Sequence, residues 1–123
     1  AQAVRPGGII ILATGLSEGV GSDDYRRLLA KENNLDIFLE RLRTPGYYRP
    51  EQWQLQLFAQ VIRKARVMLY SHNVSPAAAR EWCVEPVRSV KAGISLALEE
   101  LGADASLLAM PHGPYIIPMP PGS

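Results

Sequence analysis

The sequence predicts a three-layer α/β/α domain with a mostly parallel sheet of about four strands. Three observations carry this. Short aliphatic runs alternate with amphipathic stretches along all 123 residues. The runs are bounded by Gly, Pro and Ser-rich breaks. No run has the polar alternation of a hairpin strand with one wet face.

The elements follow in order. Gly8 to Ala13, GIIILA, is a continuous aliphatic run and reads as a strand buried on both faces. Ser22-Asp23-Asp24 offers an N-cap and first-turn carboxylates for a helix reaching Ala30. Leu35, Phe38, Leu39 and Leu42 recur at helical spacing, and Thr44-Pro45-Gly46 ends that helix. Pro50 opens a third helix whose apolar face is read as Trp53, Leu57, Phe58, Val61 and Ile62, with Arg63 and Lys64 in its last turn. Val67 to Tyr70 is the second strand. Ser75-Pro76-Ala77 caps a short helix to about Trp82, and Val84 to Val87 is a short third strand. Ser89 caps a helix from Val90 to Leu101, with Val90, Ile94, Ala97, Leu98 and Leu101 as its apolar face and Gly102 as its stop. Ser106 to Met110 reads as a fourth strand, ended by Pro111.

Composition narrows function. Hydrophobic residues make up 47% and charged residues 20%, as in an ordinary globular domain. Thirteen Lys and Arg face twelve Asp and Glu with no block of like charge, so no nucleic-acid footprint is present. The apolar run Ile9 to Ala13 is far shorter than the roughly 20 residues of a membrane span. The single cysteine, Cys83, allows no internal disulfide and favours a reducing compartment, the cytoplasm. It reads as a small core side chain rather than a nucleophile. The chain opens on Ala1-Gln2-Ala3-Val4-Arg5 without Met, and closes on a proline-rich tail. It therefore reads as one domain, residues 1–123, excised from a longer protein.

Parallel sheets bind ligands outside the carboxyl ends of their strands. Three loops are expected there: Thr14 to Ser22, Ser71-His72-Asn73, and Pro111-His112-Gly113. Gly15, Gly19 and Gly21 would let the first loop approach a phosphate, but Asp23 stands where a P-loop needs a hydroxyl residue, and Glu18, Asp23 and Asp24 repel anions. The loop reads as a turn that caps a helix. His72 and His112 share an edge without a supporting carboxylate pattern, so neither reads as a metal ligand. Tyr47, Tyr48 and Trp53 gather at a loop–helix junction, where they can wall a pocket or an interface. No Ser-His-Asp set, carboxylate pair or CxxC exists in the chain.

Five segments in register carry a further indication: Arg5-Pro-Gly-Gly-Ile-Ile-Ile-Leu, Ser17-Glu-Gly-Val-Gly-Ser, Pro50-x-Gln-Trp-x-x-Gln, Val67-Met-Leu-Tyr-Ser and Met110-Pro-His-Gly. In this order the chain resembles the C-terminal domain of the nickel-dependent lactate racemase family. The resemblance implies a two-domain isomerase that interconverts the enantiomers of lactate or related 2-hydroxy acids. It implies a nickel-pincer nucleotide in the full-length protein and none held by this piece alone. The family's metal-binding and catalytic residues lie in an N-terminal domain of the same polypeptide, so no catalytic role and no metal passes to this chain. The isolated chain is expected to be inactive. As a lid over cofactor and substrate, it would present Trp53, Gln52 and Gln56, with Glu18 and His112 on the same rim. The alternative is a stand-alone α/β interaction domain using Tyr47, Tyr48 and Trp53 as a contact patch.

Overall fold

A computed structural model describes residues 3–15, 27–29, 31–32, 34–48 and 52–111. The elements are β1 (Ile9–Ala13), α1 (Leu35–Arg41), α2 (Gln52–Lys64), β2 (Arg66–Tyr70), α3 (Pro76–Glu81), β3 (Glu85–Pro86) and α4 (Val90–Leu101). Residues 27–29 and 31 are also helical. The expected cap Ser22-Asp23-Asp24 lies outside the described residues.

Among the described residues the sheet has three strands in the order β1-β2-β3, all parallel. Ile10 stands opposite Val67 and Ile11 opposite Met68. Side chains alternate across a strand, so Val67 and Leu69 share one face of β2 and Met68 takes the other. The first face packs with Ala79 of α3, Val84, and Phe58, Val61 and Ile62 of α2. On the other face α4 crosses β1 at Gly93. A Cβ there would lie 3.4 Å from Ile11 and 3.5 Å from Val87, ordinary contact distances, so the helix packs closely on the strand with room for no more than a methyl group. Helices therefore cover both faces, and the α/β/α class holds.

The fourth strand does not form. Residues 105–110 are irregular, and Leu107 and Leu108 are each 62% exposed. A strand needs a partner ladder for its N–H and C=O groups, and no described strand pairs with this run. The expectation for β1 is also corrected. Its isoleucines are half-buried, and Leu12 and Ala13 are exposed. β1 lies at an edge of the described sheet, whereas β2 at the centre buries Val67, Met68 and Leu69.

A second correction concerns α2. Its buried positions are Leu55 and Ala59, with Phe58, Val61 and Ile62 half-buried. Trp53 and Leu57 are 61% and 56% exposed. At 3.6 residues per turn these two point nearly opposite to Leu55 and Ala59. The helix must face two neighbours at once. Leu55 and Ala59 join Phe38 and Leu35 of α1 and the leucines Leu28 and Leu29, while Phe58 and Ile62 reach toward β2. On α4 the expected apolar face is likewise only partly covered: Gly93 is buried, while Val90 and Leu101 are exposed.

Local chemistry explains the helix ends. Asn34 caps α1, its Oδ1 accepting from the backbone N–H groups of Asp36 and Ile37 at 3.1 and 3.2 Å. Ser75 and Ser89 cap α3 and α4 in the expected way, accepting from Ala78 and Ala92. After α3 the chain turns at Cys83, which has φ of +62°. The N–H of Cys83 donates to Arg80 and that of Val84 to Ala79. This is the left-handed helix ending usually given to glycine. The Cys83 side chain packs against the leucine cluster, and burial raises its thiol pKa. The thiolate is thereby disfavoured, in keeping with a packing role.

Candidate functional site at the carboxyl edge of the sheet

Three described elements reach the carboxyl edge. β1 continues into Thr14, whose N–H donates to the Tyr70 carbonyl at 3.1 Å. The next carbonyl, Gly15, accepts from Ser71 Oγ at 2.9 Å and from Asn73 Nδ2 at 2.6 Å. Beside it the Tyr70 hydroxyl lies 3.1 Å from His72 Nε2, and the two rings meet edge to face at 5.1 Å. α4 begins at the end of β3. An open groove of about 490 Å³ there is lined by Pro86, Arg88, Ser89, Lys91 and Leu96 among others, with no acidic residue among its described lining.

α2 brings the fourth contribution. It ends at Lys64, two positions before β2 begins, and packs back along the sheet through Phe58, Val61 and Ile62. Its first turn therefore lies toward the strands' carboxyl ends. That turn carries Gln52, half-buried, and Trp53, exposed, with exposed Gln56 one turn on. The indole does not anchor the helix to the sheet. Trp82 takes the bridging role, packing against both hydrophobic clusters. Glu18 and His112 lie outside the described residues. His72 sits on the expected edge, but the strand that was to deliver His112 is absent.

The two tyrosines part company. Tyr48 is 71% exposed. Tyr47 turns inward, its ring meeting Phe38 edge-on and its hydroxyl donating to Glu32 Oε1 at 2.8 Å. Glu32 is only 3% exposed, and Arg41 Nη1 donates to both of its carboxylate oxygens at 2.9 and 2.7 Å. This buried clasp ties α1 to the loop that follows it. Its signal in the sequence is slight, because three polar residues at unrelated spacings meet only after folding. Removing the cation would leave a buried carboxylate held by one hydroxyl. Arg41→Met should therefore destabilise the domain by about 2–3 kcal/mol, at or below the low end of the roughly 3–5 kcal/mol for a broken buried pair because Arg41 is half-exposed. Glu32→Gln, which keeps the shape and removes the charge, should cost less. Urea titration of the two variants checks the order.

Among the described residues no three His, Cys, Asp or Glu side chains cluster to hold a metal ion. No described helix is long and apolar enough to cross a membrane. The fold and its edge thus define an α/β domain that offers aromatic, amide, hydroxyl and imidazole groups at its strand ends.

Comparison with known proteins identifies the domain further. The family model for the lactate racemase C-terminal domain matches residues 1–117, and the chain belongs to that family. It is 26% identical over 115 residues to a lactate racemase of Lactiplantibacillus plantarum, covering 92% of this chain and 27% of that protein. It is 19% identical over 117 residues to a lactate racemase of Thermoanaerobacterium thermosaccharolyticum, covering 94% of this chain and 28% of that one. The solved lactate racemase apoprotein of the latter organism superposes with a TM-score of 0.67 at 20% identity, over 79% of this chain and 24% of that one, a likeness of fold. The chain spans about a quarter of the length of these relatives.

Proposed function

We propose that this chain is the cofactor- and substrate-covering C-terminal domain of a longer racemase or epimerase acting on lactate or a related 2-hydroxy acid. Its partner is the N-terminal catalytic domain of the same polypeptide. The observation that carries the reading is Trp53, a large ring left 61% exposed on the α2 turn nearest the carboxyl edge, in a chain whose family is defined by racemases. With most of its surface in solvent, the ring adds little to this domain's own core. It is suited to covering a flat group or a small substrate and excluding water from it.

The cofactor proposed for the full-length protein is a nickel-pincer nucleotide. Its metal ligands are proposed to lie in the N-terminal domain of the same polypeptide. When bound, that group would supply the redox chemistry at the substrate's 2-carbon. This chain's residues would close the site. Trp53 covers it, Gln52 and Gln56 supply amide hydrogen bonds, and Glu18 and His112 are proposed to face the same cleft.

The test is chiral. The full-length, cofactor-loaded polypeptide given one enantiomer of lactate should form the other, and the 123-residue chain alone should not. Failure of the loaded polypeptide to racemise lactate or any 2-hydroxy acid would remove the reading.

A further inference from the structure

Tyr70 and His72 stand two positions apart, at the end of the central strand and in the turn beyond it, and their rings meet edge to face. The backbone around them is tightly held. Thr14 N–H reaches the Tyr70 carbonyl, Ser71 Oγ and Asn73 Nδ2 both donate to Gly15 O, and Asn73 N–H donates to Ser71 Oγ at 3.3 Å. These bonds order an exposed turn, and Val74 at its end anchors it to the core beside β2. What the turn presents is an exposed imidazole. The Tyr70 hydroxyl lies 3.1 Å from Nε2 and 3.4 Å from Nδ1, over the ring and in line with neither nitrogen's lone pair, so the ring is held in place while its in-plane N–H stays directed outward. In the neutral ring one of the two nitrogens carries the proton and is a donor. The neighbouring edge at β3 adds Arg88 and Lys91, with no described carboxylate lining that groove. This basic pair favours an anion on the β3 side of the edge.

We infer that His72, steadied by Tyr70, is a substrate-contact residue that donates a hydrogen bond to the carboxylate of the 2-hydroxy acid. The inference rests on the racemase reading above. The carboxylate is the group both enantiomers share, so one fixed donor serves both directions of the reaction. His72 is a binding residue in this scheme and takes no part in moving the 2-hydrogen.

The experiment compares His72→Ala, His72→Gln and Tyr70→Phe with the parent in the full-length, cofactor-loaded polypeptide, using D- and L-lactate. His72→Ala should raise KM for both enantiomers about ten-fold, the loss of one charge-assisted hydrogen bond, with kcat within about two-fold. Enantiomers are equal in free energy, so kcat/KM must fall equally in both directions. His72→Gln keeps an N–H donor and should recover most of the loss. Tyr70→Phe should have a smaller effect of the same kind. Calorimetric binding of lactate should weaken in step with KM. An unchanged KM in His72→Ala, a fall confined to kcat, or a glutamine variant no better than alanine would each overturn the inference and leave the racemase reading intact. A parent that racemises no 2-hydroxy acid overturns both.

Discussion

Replacing Phe38 with alanine is expected to lower the unfolding free energy of the domain by about 3–5 kcal/mol. Phe38 is fully buried and sits where three helical segments meet, against Leu28, Leu29, Leu35, Leu55 and Ala59. The Tyr47 ring packs on it edge-on at 6.4 Å, so truncation also removes a favourable aromatic pair and loosens the residue that caps Glu32. α1 is tied by its Asn34 cap and by the Arg41–Glu32 bridge, which restricts collapse into the cavity. Domains of this size have about 5–15 kcal/mol of stability in total, so the variant should be marginal. Urea unfolding should show a much lower midpoint with a similar slope, since the surface exposed on unfolding hardly changes. A loss below about 1 kcal/mol would mean that the leucine cluster repacks freely around α1.

The parts of this fold that were legible from residue order are those set locally. Serine caps at Ser75 and Ser89, Pro76 at a helix start, Gly102 at a helix stop and the aliphatic run of β2 each act within a few residues, and each lies where its chemistry put it. The errors come from quantities that local pattern does not contain. Whether GIIILA is central or at an edge depends on which strands pair with it, and the described sheet leaves β1 with one neighbour. Ser106 to Met110 has strand-like side chains but no ladder to join. On α2 two different neighbours select the buried arc, so Leu55 and Ala59 displace Trp53 and Leu57 from the face that hydrophobicity alone suggested. Cys83 occupies a backbone conformation normally marked by glycine, which hides the turn from a sequence reader. That Gln52, Trp53 and Gln56 share one helix end was legible because they lie within five residues of one another. The Tyr70–His72 pair was visible only as a lone histidine.

Trp53 carries the functional account, and its exposure separates folding from activity. Since the indole is 61% exposed, Trp53→Ala should leave the melting temperature of the domain within a few degrees of the parent. In the full-length enzyme the same change should lower kcat/KM for lactate roughly 100-fold, because an open cover admits water and lets the substrate shift from its reacting position. Trp53→Phe, which keeps an apolar ring, should restore part of the rate. The decisive measurement is therefore the racemisation rate of cofactor-loaded, full-length Trp53→Ala beside its melting curve. A large loss of rate at unchanged stability is what a covering domain predicts. Parental kinetics in a correctly folded variant would contradict it.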